Sequence, residues 1–175
     1  MDTNDHTPTE NGWDSLPQNL RDDTFLLVMK ELSIVKDHNR LLLLVTHGFV
    51  EMAIEALIKH HLKNSKKLLD DSRTYPHSAK LLILNELGII SDQLYGVFDW
   101  LRKLRNRAAH DALFRLRKQD FPTIKCDDPI DPVDDFYRFC VLLLAGFWNE
   151  HLDVFGPLFA PGVTGLKEDG EESAT

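Results

Sequence analysis

The chain has 175 residues and a formal net charge of -8 at pH 7, with 43% hydrophobic residues, enough to build one core. That length suits one domain, and the acidic total works against indiscriminate binding to polyanions. Cys126 and Cys140 lack zinc-type or CxxC spacing, and no secretory pattern opens the chain, so a reducing cytoplasm is the expected setting.

Residues 1–21 mix Pro8, Gly12 and Pro17 with Asp, Asn and Thr, and offer little to bury. Residues 161–175 are equally poor, ending in an acidic Gly- and Ser-containing run. Both read as disordered tails, because they lack the apolar surface that would offset ordering entropy. The folded domain is expected over 22–160.

A first helix is expected after Asp22 or Asp23, either of which suits its N-cap, with Phe25, Met29, Leu32 and Val35 along one side. The polar step Asp37-His38-Asn39 then leads into a long helix from about Arg40 to Leu62. Its opening, Leu41 to Val45, is apolar all round and implies burial on more than one side. The run is too short to span a bilayer, and His47, Glu51 and Glu55 interrupt its extension, so a membrane span is rejected.

Residues 63–77 read as a loop with room for one helical turn, and Pro76 favours a new helix start. The next helix covers about Ser78 to Leu87 and stops at Gly88, which tolerates the left-handed conformation. Ser91 suits the N-cap of a fourth helix reaching His110, with Leu94, Val97, Phe98, Leu101, Leu104 and Ala108 as its core stripe. Residues 111–130 have no period and carry the breakers Pro122 and Pro129. Asp131-Pro132 reads as cap and first position of a last helix from Val133 to about Asp153, stopped by Gly156-Pro157. No segment alternates with period two. The expectation is an all-α, single-domain bundle of about five helices.

The chemistry concentrates at Arg105-Asn106-Arg107-Ala108-Ala109-His110-Asp111. Guanidinium forks match phosphoryl oxygens, and imidazole exchanges protons near neutrality. From Arg102 to Lys118 there are seven basic residues against one acid, Asp111. Arg102, Arg107, Arg115, Arg117 and Lys118 are therefore the candidate phosphate or RNA contacts around Arg105, Asn106 and His110. Asp111 is a candidate to orient His110, with a polar place in the exit turn as the equal alternative. Five residues on a helix is about 140° of rotation, so Arg105 and His110 do not share a face, whereas Asn106 and His110 do. Cations in the last turn also suit the helix C-terminus for structural reasons alone.

Other constellations are weaker. His47-x3-Glu51 could supply two metal ligands, but no third is visible, and His47, Glu51, Glu55 and Lys59 read better as a solvated stripe with a Glu55–Lys59 pair. His60-His61 suits a helix C-terminus, and the aromatic set in the last helix reads as core. There is no phosphate-cradling glycine loop and no nucleophile elbow, so neither cofactor nor metal is expected.

Arg105, four residues and His110, with an amide directly after the arginine, resemble the motif of the HEPN superfamily. Leu84-Asn85-Glu86-Leu87-Gly88-Ile89-Ile90 together with Arg105 and His110-Asp111 resemble its mannitol-operon repressor-like group. The resemblance covers roughly residues 40–111. It implies a four- or five-helix bundle that forms a homodimer, and in active members a metal-independent endoribonuclease. His110 would then be the general acid and base, Arg105 would stabilise phosphate charge and Asn106 would position the substrate. Relatives act as toxins neutralised by an antitoxin partner, in defence systems, or as non-catalytic transcriptional regulators.

Overall fold

The computed structural model describes residues 24–121 and 135–159. Seven α-helices occur among them: α1 (Thr24–Ile34), α2 (Asn39–His61), α3 (Ser65–Asp70), α4 (His77–Glu86), α5 (Asp92–His110), α6 (Phe136–Glu150) and α7 (Leu152–Phe159). A 3-10 turn, Lys118–Asp120, lies between α5 and α6. No strand occurs among the described residues, as the missing period-two pattern implies. The expected tails, and the Asp131-Pro132 helix start, fall outside the described residues.

Each of the other six described helices packs on α2. Its buried positions Leu42, Phe49, Val50, Ala53, Ile54, Leu57 and Ile58 sweep a broad arc, each side chain larger than alanine contributing about 1.5–3 kcal/mol on burial. α2 is long and apolar enough to cross a membrane, and 61% of its most apolar window is buried against its neighbours. The apolar opening is less enclosed than its composition implies. Leu42 and Leu43 are buried, while Leu41 and Leu44 share the outward line with exposed Gly48.

Two helices exceed the expected five. The turn foreseen in the 63–77 loop is a six-residue helix, α3. The last long helix divides at His151, a buried residue whose ring meets Phe147 and Phe155 edge-on at 5.3 and 5.6 Å. Gly156-Pro157 does not stop the chain, because Pro157 sits inside α7. The one backbone hydrogen bond it removes is outweighed by burial of Val154 and Phe155. α6 takes its cap from Asp135, whose carboxylate accepts from the Arg138 amide at 3.1 Å.

The α4–α5 corner sets the direction of the helix that carries the motif. Gly88 adopts φ +67°, so the amides of Ile89 and Ile90 return to the Leu84 carbonyl and Ile90 is buried. Asn85 then donates to the Ile90 carbonyl at 3.2 Å and to the Asp92 carboxylate at 2.9 Å, tying one helix end to the next start. Ser91 caps α5 as expected, accepting from the Leu94 amide at 3.2 Å. Val97, Phe98, Leu101, Leu104 and Ala108 are its buried stripe, and Leu94 is half-buried.

Candidate functional site

The stripe on α5 dictates where its polar residues go. With Leu101, Leu104 and Ala108 directed into the core, Arg102 and Arg105 flank the stripe, and Asn106, Arg107 and His110 are exposed. The Arg105 guanidinium donates to the Asn106 side-chain oxygen at 3.3 Å, so those two candidates meet. Arg105 and His110 share no hydrogen bond among the described residues. That outcome follows from their angular separation on a regular helix.

Carboxylates occupy part of the basic run. Two Arg102 nitrogens donate to one Asp99 oxygen at 3.1 and 2.7 Å, and Lys103 meets the other oxygen at 2.6 Å. Burial alone would raise the Asp99 carboxyl, but its bonds to Lys103 and Arg102 win and hold it below the ordinary range. Arg107 grips both oxygens of the largely buried Asp120, at 2.7 Å each. That fork holds the Asp120 carboxyl low and raises the Arg107 guanidinium. Arg115, Arg117 and Lys118 are exposed. Arg115 lines a cleft of about 620 Å³ with His38, Asn39, Arg40, Leu41 and Phe114.

Asp111 does not reach His110. Its carboxylate accepts from the Leu113 amide at 2.9 Å, making an Asx turn that reverses the chain after α5. The returning segment lies along α5: Phe114 packs under Arg107 at 5.3 Å, and the Trp100 indole donates to the Asp120 carbonyl. Trp100, Phe121 and Phe139 then pack together, with ring centres 5.4 to 6.1 Å apart.

A second polar cluster lies where α2, α4 and α5 meet. His47 is 3% exposed, and its Nδ1 lies 3.5 Å from Glu51. His77, at the start of α4, presents Nδ1 to the other Glu51 oxygen at 3.8 Å. The two rings are 5.1 Å apart, and neither Nε2 has a hydrogen-bond partner. His47 beside it holds the Glu51 carboxyl below its usual range, and the Arg105 charge acts in the same direction. Burial, reinforced by His47, lowers His77 to about 4, and Arg102 adds to the effect.

These positions correct the solvated-stripe expectation for α2. His47 is core, and Glu55 pairs at 2.9 Å with Lys80 of α4 rather than with Lys59. A pattern confined to one helix gives no sight of a partner supplied by another. His77 gives no sequence signal beyond its place after Pro76, and Arg40, which proves central to the motif's setting, gives none. Among the described residues no group of three His, Cys, Asp or Glu side chains is arranged to hold a metal ion. Cys140 is buried and its thiol is pushed up to about 12, so it behaves as a small apolar core residue.

Comparison with family models, curated proteins and solved structures gives no match to this chain.

Proposed function

We propose that the chain is a HEPN-type RNA-binding protein that works as a homodimer and cuts RNA at the α5 end. The observation that carries this reading is the state of the motif. Arg105, Asn106 and His110 lie on the final turns of one helix, with Asn106 and His110 exposed and no carboxylate in ion-pair contact with any of the three among the described residues. Their neighbours Arg102 and Arg107 are neutralised by Asp99 and Asp120, whereas Arg105 makes no ion pair among the described residues.

The chemistry is phosphoryl transfer within RNA. The ribose 2′-oxygen bonds to phosphorus as the bond from phosphorus to the 5′-oxygen breaks, leaving a 2′,3′-cyclic phosphate. His110 takes the 2′ proton, and the leaving 5′-oxygen receives one from the imidazole of a second copy. Arg105 binds the phosphoryl oxygens as their charge grows, and Asn106 holds Arg105 and the substrate. With the nucleophile inside the substrate, the step needs no metal. A toxin or defence enzyme of this kind would be held in check by an antitoxin partner.

The test compares wild type, His110→Ala and Arg105→Ala on end-labelled RNA in the presence of chelator. Cleavage by the wild type with cyclic-phosphate ends, and a loss of at least about 100-fold in either variant, is the expected result. Equal cleavage by all three, or none by the wild type, rejects the reading.

A second reading has its own support. Asp99 and Asp120 quench much of the basic run, as suits a non-catalytic regulator similar to the mannitol-operon repressor group that uses Arg105 and His110 in an interface. Under that reading Arg105→Ala changes the molar mass seen by light scattering or the affinity for a partner, while RNA stays intact.

A further inference from the structure

The last turn of an α-helix has carbonyl groups with no intrahelical partner, and it frays unless something else satisfies them. In α5 the Arg107 carbonyl is used by the Asp111 amide, which leaves those that follow. A residue of another helix reaches them. Arg40, second residue of α2, donates through Nε to the Ala108 carbonyl at 2.8 Å and through Nη2 to the Asp111 carbonyl. One guanidinium thus holds the backbone two residues before His110 and one residue after it.

The fork is itself locked. The Arg40 guanidinium lies 6.0 Å from the centre of the Phe114 ring, against which Arg107 also packs, and Arg107 is fixed by both oxygens of Asp120. The Phe114 amide returns to the Asp111 carbonyl at 3.2 Å, so this oxygen serves both the fork and the turn. The exposed end of α5 is therefore referenced to α2, the helix on which the others pack, rather than left to its own terminal hydrogen bonds.

We infer that Arg40 is a positioning residue for His110, fixing the backbone that aims the imidazole, an inference whose catalytic consequence rests on the RNA-cleaving reading above. Planarity and spacing make the role specific to arginine: a guanidinium offers two donors in a rigid fork, an ammonium offers a point charge, and a glutamine is too short to span both carbonyls. Arg40 does not touch the reacting atoms in this scheme. Its effect passes through the last turn of α5.

The experiment reads the His110 imidazole directly, by carbon–proton NMR of the ring in wild type, Arg40→Gln and Arg40→Lys. Both variants are expected to move and broaden the His110 ring signals while the methyls of Leu57, Phe98-adjacent Leu101 and Leu144 stay in place. In cleavage assays both should lower kcat about 100-fold with KM little changed, the size of loss that a misplacement of about 1 Å produces. Ring signals that match the wild type in both variants overturn the inference. If the ring signals move in both variants but the wild type cuts no RNA, the positioning stands and the nuclease reading fails. A check on the unmodified protein covers the case in which a variant does not fold: the Arg40 Nε–H exchanges slowly with solvent if it is bound to Ala108, and fast exchange overturns the inference.

Discussion

Two polar clusters flank α5, and they are built by opposite means. At the α2–α4 junction His47 is buried and His77 half-buried, their Nε2 atoms lack partners, and their Nδ1 atoms converge on one carboxylate. At the C-terminal end Arg40, Arg107, Asp111 and Asp120 lie near the surface, yet each is matched by a carbonyl, an amide or an opposite charge. The first cluster loses stability when His77 takes up a proton, because burial and the neighbouring His47 disfavour its imidazolium. The second is satisfied from the outset and serves to hold a shape.

The sharpest way to break this contrast is to change pH. His77 titrates at about 4 in the folded chain against 6.5 for the free side chain. Above pH 6.5 it is neutral in both states and its contribution is fully present. As pH falls from 6.5 toward 4 the unfolded chain binds the proton first, so stability is lost across that window and the loss levels off below it. The loss should reach about 3 kcal/mol by pH 4. Urea unfolding of wild type and His77→Phe at pH 7 and pH 4 measures it as the difference between the two pH slopes. Parallel slopes would show that the imidazole is not the sensitive group.

The clamp responds to charge removal instead. Asp120→Asn deprives Arg107 of its bidentate partner and should cost about 1 kcal/mol, because Arg107 is solvent-exposed and its ion pair is screened. Urea unfolding at low and raised salt checks this: the gap between wild type and variant should narrow as salt screens the pair. A gap indifferent to salt would assign the loss to packing. The smallest effect is expected at the opposite end of α5, where Ser91→Ala removes an ordinary N-cap and should cost about 0.5–1 kcal/mol in thermal unfolding. The His110 ring signals should be unaffected, since that end is held separately. Movement of those signals would mean that α5 shifts as a rigid rod.

The legible part of the fold was the part written locally. Ser91, the buried stripe of α5 and Gly88 stand where the pattern puts them, because capping and left-handed geometry depend on neighbours in sequence. His151 was not legible as a break, since nothing local marks it; its ring lies between Phe147 and Phe155 only once the helices are packed. Pro157 misled for the same reason, as burial of Val154 and Phe155 outweighs the local penalty. Within the candidate site, the adjacency of Arg105 and Asn106 was readable. The engagement of Arg107 by Asp120, thirteen positions away, was not.

What the sequence determined by itself is the helical class, the helix that carries the motif, and the exposure of Asn106 and His110, because apolar periodicity assigns each residue of a helix to a face. The tertiary structure alone decided that Glu55 pairs with Lys80, that His77 joins His47 on Glu51, and that Arg40 holds the backbone on either side of His110. Those contacts join residues 25 to 71 positions apart. They are set by how helices cross on α2, and a one-dimensional pattern holds no information about that crossing.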